Sequence, residues 1–166
     1  MGALDYHVAQ VNIGTPLGPV DSPVMREFMA LLDPINALAD DSPGFVWRLQ
    51  TEEGNATALH PYGDERLLLN MSVWESVDEL AEFVYRSAHV DVMRRRREWF
   101  AHMRMYMALW WIPAGYIPTV ADAEERLDHL ATFGPTPFAF TFKVRFPPPG
   151  EDSELVEIDH ELGCPA

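Results

Sequence analysis

The segment from Tyr106 to Ile112 is apolar on both alternating faces of a strand, and it limits the possible folds more than any other segment of the chain. A strand with one face in water alternates apolar and polar side chains, whereas a strand covered on both faces does not. Pro113 and Pro118 punctuate the chain after the run. The sequence therefore predicts a sheet that contains a strand covered on both sides.

Four other segments have the composition of strands, and the last of them is the clearest. Residues 138–146 carry phenylalanine or valine at every second position, which predicts a strand with one apolar face. The other strand segments are residues 6–13, 45–50 and 66–74. Spacing and capping residues predict helices at 23–39, 76–85, 87–104 and 119–133. Pro34 is expected to kink the first helix or to end it early.

The order of these elements predicts an α+β fold of ferredoxin-like type. Helices inserted between strands that can pair antiparallel give an antiparallel sheet with helices on one face. In a monomer the other face would remain half exposed, so we expect a homodimer in which a second sheet covers it. Residues 1–150 are expected to form this domain, and residues 151–166 an acidic C-terminal tail.

Composition excludes several classes of partner and site. The net charge of -14 disfavours nucleic acid and anionic membrane surfaces, because both repel an acidic protein. No segment has the roughly 18 apolar residues that a membrane span needs, and a cytoplasmic protein is expected. The single cysteine, Cys164, permits no intrachain disulfide, and the six histidines lack metal-binding spacing, so no metal site is predicted.

One helical stripe in the segment after Ser87 mixes polar and apolar residues. Positions three and four apart share a face of a helix, and this stripe contains His89, Val92, Met93, Arg96, Trp99, Phe100 and Met103. Four consecutive arginines on a helix sweep nearly all the way round it, so at least one, Arg96, must turn inward. An inward arginine needs an anionic partner. A ligand carboxylate or enolate could supply that partner, and so could the acidic tail.

Polar and aromatic residues on the predicted strands are the remaining candidates for a site. Asn70 and Ser72 share a strand face with Trp74, where they could orient a substrate or bridge to water at a dimer interface. Four aromatic side chains could form flat walls for a ring-shaped ligand, or simply belong to the core. These are Trp99, Tyr106, Trp110 and Trp111.

The run LLLNMSVWESVDELAEFVYRSAH, residues 67–89, resembles the dimeric α+β barrel superfamily typified by antibiotic-biosynthesis monooxygenases. The matching positions are Trp74, Ser87 and His89. Further along, REWF at 97–100, LWWIPAGYIP at 109–118 and GPTPFAFTFKVRF at 134–146 resemble one bacterial domain of unknown function within that superfamily. The resemblance implies a homodimer with a hydrophobic pocket between each sheet and its helices.

The resemblance also implies a function and the residues for it. In the oxygenase branch an asparagine, a tryptophan and a nearby tyrosine or histidine hold the substrate, and Asn70, Trp74 and His89 match that pattern. We therefore expect a cofactor-independent monooxygenase acting on a hydrophobic aromatic or polyketide-like substrate. His89 would be the base, and Arg96 would stabilise the developing oxyanion.

Two other functions are open at this point. The chain could be a non-catalytic protein that binds a hydrophobic metabolite or haem, with His89 as the first candidate axial ligand. It could also be a structural dimer whose pocket is filled by its own aromatic side chains.

Overall fold

A computed structural model of the protein describes residues 5–52, 54–103 and 106–151. Within these residues the elements follow one another in the predicted order, up to the last strand. They are β1 (Tyr6–Gly14), α1 (Arg26–Asp40), β2 (Phe45–Arg48), β3 (Leu68–Trp74), α2 (Val77–Arg86), α3 (His89–Arg94), α4 (Arg96–Trp99), β4 (Met107–Pro113) and α5 (Val120–Phe133).

The four strands form one antiparallel sheet in the order β2-β3-β1-β4. Placing β1 and β3 at the centre, with β4 and β2 at the edges, is the arrangement of the ferredoxin-like split β-α-β fold. Val8 on β1 lies opposite Trp74 on β3 and Trp111 on β4. The predicted fold class is confirmed.

Helices α1 and α2 cover one face of the sheet, which we call the cavity face. Its buried core joins Val8 of β1, Trp74 of β3 and Leu109 of β4 to Leu80 of α2. Successive residues on a strand point to opposite faces, so the neighbouring positions form a separate core on the other side. That second core contains Ala9, Val11, Ile13, Leu69, Met71, Val73, Ala108, Trp110 and Ile112.

Helix α5 covers this second face. Ala123, Leu127 and Leu130 face the sheet and are 1%, 3% and 2% exposed. We expected a partner's sheet to cover this surface, but the chain covers it with its own helix. Both faces of β4 are therefore buried inside one chain, which explains the apolar run that spans it.

Local signals explain where α5 begins and ends. Thr119 accepts a hydrogen bond from the backbone of Asp122 at 3.1 Å, and the Asp122 carboxylate accepts one from Thr119 N at 2.8 Å. This capping box satisfies two backbone donors at the start of the helix. Gly134 ends the helix at a φ of 72°, a conformation that glycine adopts without strain.

The prediction of a strand at 138–146 is wrong. Only Phe140 pairs with β4, through two 2.8 Å backbone hydrogen bonds to Leu109. The chain then turns, because Val144 N donates to Thr141 Oγ1 at 3.2 Å and Thr141 N donates to Val144 O at 3.3 Å. Such local hydrogen bonds compete with a strand ladder. Phe140 and Phe142 are nonetheless buried in the core of the cavity face.

One helix prediction also needs correction, and one of the two effects expected of Pro34, an early end of the helix, does not occur. The segment predicted as one helix at 87–104 is two short helices, and α4 stops at Trp99 because Ala101 N bonds to Thr15 O at 2.9 Å alongside β1. Pro34, in contrast, does not end α1, which continues to Asp40. Pro34 and Ala30, four residues earlier, are both exposed, so water can satisfy the carbonyl that loses its helical partner.

Two further observations concern the described part of the chain. Its helices are too short or too polar to cross a membrane. Nowhere in it do three or more His, Cys, Asp or Glu side chains gather in a way that could hold a metal ion. Residues 152–166, which include Cys164 and the acidic tail apart from Glu151, lie outside the described residues.

Candidate functional site

A cavity with two adjoining lobes separates the cavity face from helices α1, α3 and α4. The Trp99 lobe encloses about 980 Å³ and the Trp74 lobe about 690 Å³, each including space that is open to solvent. The residues that line both lobes are Asn12, Ile35, Asn36, Asn70, His89, Met93 and Arg96. His89, Arg96 and Asn70 therefore face the same space.

The Trp99 lobe is mainly apolar. Phe28 of α1 lies 5.5 Å from the ring of Trp99 and 4.9 Å, edge to face, from the ring of Phe100. Trp99 is 2% exposed and Phe100 8%. A Cβ atom at Gly14 would lie 2.6 Å from Phe100 Cδ1, so the glycine allows this ring to pack against the end of β1. The lobe suits the flat, apolar part of a ligand.

The Trp74 lobe contains a row of polar side chains on β1 and β3. Gln10 Nε2 donates to Asn70 Oδ1 at 2.7 Å and to Ser72 Oγ at 2.9 Å. Trp74 Nε1 donates to the same Ser72 Oγ at 2.9 Å. The Trp74 ring is fully buried and stacks on Phe83, at 5.2 Å between centroids. These hydrogen bonds fix the polar side chains on one strand face.

His89 sits where the chain changes direction between α2 and α3. Ser87 is extended there, and its Oγ accepts a 3.1 Å hydrogen bond from His89 N. His89 Nδ1 lies 3.2 Å from Val84 O, and because a carbonyl only accepts, Nδ1 carries the proton. Burial lowers the pKa of the His89 imidazole below 6.5, while the Val84 carbonyl opposes part of that change. The ring is therefore neutral at pH 7, with Nε2 as its basic nitrogen.

Arg96 lines both lobes, and the contacts of its guanidinium include a backbone carbonyl and two aromatic rings. It donates to Ile13 O at 3.2 Å and lies 4.7 Å from the Tyr106 centroid and 5.2 Å from the Phe100 centroid. Arg95, one residue earlier, lies at the surface and forms ion pairs with Glu27 and Glu98. The acidic tail is one of the two partners considered for Arg96, and apart from Glu151 it lies outside the described residues.

The structure brings six of the eight predicted site residues together. Trp74 and Tyr106 line the Trp74 lobe, and Trp99 lines the other, beside His89, Arg96 and Asn70. Trp110 lies on the opposite face of the sheet, in the core beneath α5. Trp111 shares the cavity face but packs against Phe140, and its Nε1 donates to Phe146 O at 2.8 Å.

Two parts of the cavity wall were not predicted as site residues. The first is the inner face of α1, whose apolar spacing predicts burial but does not distinguish a core from a cavity wall. The second is the segment 55–57. Arg48 holds the neighbouring backbone in place, since it donates to Gly54 O at 2.7 Å and to Asp40 Oδ1 at 2.8 Å. No sequence pattern indicates this bridge between α1 and the loop.

Comparisons with known proteins identify a sequence family and remote structural likenesses. The family described as a domain of unknown function, DUF3291, matches residues 7–156. No curated protein matches the chain. Among solved structures, SnoaB, a cofactor-independent oxygenase from Streptomyces nogalater, is 17% identical with a TM-score of 0.45, over 67% of this chain and 95% of SnoaB.

Two proteins from Nitrosomonas europaea give similar values. A candidate antibiotic biosynthesis monooxygenase is 12% identical with a TM-score of 0.44, over 70% of this chain and 96% of its own. A protein of unknown function is 9% identical with a TM-score of 0.42, over 70% of this chain and 99% of its own. At this level of similarity no activity follows for the present chain.

Proposed function

This chain belongs to the DUF3291 family, and we propose that it is a cofactor-independent monooxygenase acting on a hydrophobic aromatic or polyketide-like molecule. One observation carries the proposal: a neutral imidazole, a guanidinium and an amide share the wall of one largely apolar cavity. They belong to His89, Arg96 and Asn70. A base and two hydrogen-bond donors are what the deprotonation of an acidic C–H group requires.

The first step is proton abstraction by His89. Its Nδ1 is committed to Val84 O, so Nε2 takes the proton from an activated methylene of the substrate. A methylene between aromatic rings and conjugated with a carbonyl becomes an enolate or phenolate when it loses that proton. Arg96 and Asn70 stabilise the negative oxygen, in a site whose apolar walls strengthen such interactions.

The second step is reaction with dioxygen. The substrate anion passes an electron to dioxygen, the two radicals combine at the carbon, and the His89 imidazolium returns its proton to the peroxide. Loss of water from the hydroperoxide leaves a ketone. In total the methylene loses two hydrogens, one oxygen atom enters the product, and the other leaves as water. The electrons come from the substrate, so the scheme requires no external reductant.

A second candidate function is the binding of haem or another hydrophobic metabolite without catalysis. The hydrogen bond from His89 Nδ1 to a backbone carbonyl is also the arrangement that orients an axial imidazole. In that case His89 would hold the iron and Arg96 would pair with a propionate carboxylate. Bound haem would supply one-electron and dioxygen chemistry.

Oxygen uptake tests the proposal. Chelator-treated protein is mixed with dithranol, a tricyclic anthrone with an acidic methylene, and oxygen consumption and product are followed against a protein-free reaction. We expect catalysis by the wild type and a loss of about 100-fold to 10,000-fold in kcat for His89→Ala. The matched control is His102→Ala, since His102 is exposed outside the cavity.

The outcomes separate the candidates. Uptake at the protein-free rate, or equal uptake by wild type and His89→Ala, removes the oxygenase proposal. The visible spectrum and mass spectrometry of the purified protein then decide the alternative, because a haem absorption band lost in His89→Ala supports haem binding.

A further inference from the structure

The row of polar side chains on β1 and β3 is buried at Gln10 and Ser72 and exposed at Asn70, and one side chain fixes the direction of its hydrogen bonds. Gln10 and Ser72 are each only 7% exposed, so their polar atoms need partners inside the protein. An indole N–H can only donate, so Trp74 Nε1 makes Ser72 Oγ an acceptor at 2.9 Å. This bond anchors one end of the row.

Gln10 uses both hydrogens of its amide nitrogen within the row. Nε2 donates one to Ser72 Oγ and the other to Asn70 Oδ1. The cross-strand register brings these groups together, because Gln10 lies directly opposite Ser72 and Asn70 is the next residue of β3 on the same face. Gln10 thus contacts both partners through one atom.

Ser72 and Asn70 each keep a hydrogen-bond donor that is not used within the row. Ser72 Oγ accepts from Gln10 and Trp74, which uses both of its lone pairs and leaves its O–H proton. Asn70 Oδ1 faces Gln10, which leaves the Nδ2 amide group on the other side of that side chain. Asn70 lines both lobes, and Ser72 lines the Trp74 lobe. The Ser72 hydroxyl and the Asn70 Nδ2 group are therefore donors available to a ligand, while Asn70 Oδ1, which keeps one lone pair, is turned toward Gln10.

We infer that Gln10 is a positioning residue that turns the Asn70 amide and the Ser72 hydroxyl into donors, so that the Trp74 lobe binds the oxygen anion of a phenolate or enolate. The inference rests on the proposed function in placing the ligand in this cavity, and it adds the ionisation state of the ligand. Gln10 acts through its two neighbours. If residue 10 could only accept hydrogen bonds, it would draw the Asn70 amide group and the Ser72 proton toward itself. Asn70 and Ser72 would then present acceptors, not donors, to the ligand.

A binding experiment without oxygen tests the inference. The probe is 4-nitro-1-naphthol, a bicyclic phenol whose phenolate is coloured, titrated with pH in anaerobic solution with and without protein. We expect the wild type to bind the phenolate about tenfold or more tightly than the neutral phenol, which appears as a lowered pKa of the bound probe.

Two variants isolate Gln10. Gln10→Met keeps the length of the side chain and removes its hydrogen bonds, and it should lose most of the preference for phenolate. Gln10→Glu places an acceptor in the row and should abolish or reverse the preference, while still binding the neutral phenol. Gln50→Glu is the matched control for added charge, because Gln50 is exposed on the segment after β2, and it should keep the preference.

Several results would overturn the inference. They are no binding of the probe by the wild type, equal or tighter binding of the neutral phenol, and a preference that survives in both Gln10 variants. If Gln10→Glu does not fold, Gln10→Met and Ser72→Ala decide, since Ser72→Ala removes one of the two donors. Phenolate binding without oxygen uptake from dithranol would keep the inference and remove the oxygenase proposal.

Discussion

At the scale of single residues, one backbone carbonyl and the burial of one ring set the tautomer and the pKa of His89, the proposed base. Val84 O fixes the tautomer, and burial lowers the pKa of the imidazole below 6.5. A base works in its unprotonated form. We therefore expect kcat/KM for dithranol to rise with pH through a pKa below 6.5 and to stay level above it. If kcat/KM instead rose through a pKa above 6.5, the titrating group would not be His89.

The same pKa shift links His89 to stability. The folded state binds the proton less tightly than the unfolded state, so the unfolded chain carries more protons below pH 6.5. The contribution of neutral His89 is complete above the unfolded pKa and is lost as pH falls through the folded one. Urea unfolding should show that His89→Gln, compared with wild type, weakens this dependence; an unchanged slope with pH would contradict it.

Arg96 gives a second residue-scale prediction. Arg96→Met keeps an apolar stem beside the Phe100 and Tyr106 rings but removes the charge that stabilises the oxyanion in the proposed mechanism. We expect kcat to fall by about 100-fold to 1,000-fold in steady-state oxygen uptake. Arg97→Met, at the exposed next position, is the control and should keep wild-type kcat. Equal activity of the two variants would remove Arg96 from the mechanism.

Strand and helix geometry explains which site residues could be predicted from the sequence. Asn70, Ser72 and Trp74 share a face because side chains alternate along β3. The same rule separates Trp110 from Trp111, since neighbours on a strand face opposite ways and only one of them could reach a cavity on one side of β4. The wall from α1 and the loop at 55–57 depends on tertiary packing, which spacing along the chain does not specify.

At the scale of elements, α5 is the helix that decides how the sheet is covered. Leu127 is 3% exposed at the centre of its contact with the sheet, whereas Phe133 at its end is 69% exposed. We expect Leu127→Ala to lower the free energy of unfolding by about 2–5 kcal/mol, independently of protein concentration. Phe133→Ser should change it by less than about 0.5 kcal/mol. Urea denaturation distinguishes the two, and a Leu127→Ala variant as stable as wild type would contradict the packing of α5.

Elements with clear capping residues are predicted well from the sequence. Segments in which local hydrogen bonds compete with strand pairing or with a continuous helix are not. The capping box at Thr119 and the closing Gly134 bound α5 as expected. The alternation at 138–146 predicts burial of Phe140 and Phe142 but not their conformation, because the turn at Thr141 competes with pairing along β4. The segment after Ser87 forms two short helices that are interrupted at Arg95. No glycine or proline lies there, so the sequence does not predict the interruption.

At the scale of the whole molecule, the homodimer stays a prediction with a changed interface. α5 covers the sheet face that a partner's sheet would occupy, so a dimer must use another surface or displace the helix. We expect light scattering at micromolar concentration to give the mass of two chains, and a mass of one chain would contradict it. The division between a domain at 1–150 and a tail at 151–166 is likewise a prediction. Deletion of residues 151–166 tests it, and we expect the free energy of unfolding in urea to stay unchanged.

The most direct test of the proposed chemistry follows the oxygen atoms. Chelator-treated protein is given dithranol under heavy-isotope dioxygen in ordinary water, and the product is analysed by mass spectrometry at early times, before carbonyl oxygen exchanges with water. We expect one heavy oxygen atom in each product molecule formed by the wild type, and no product above the protein-free rate from His89→Ala. Product whose new oxygen comes from water, or labelled product formed equally by both proteins, would contradict an oxygenase that uses His89 as its base.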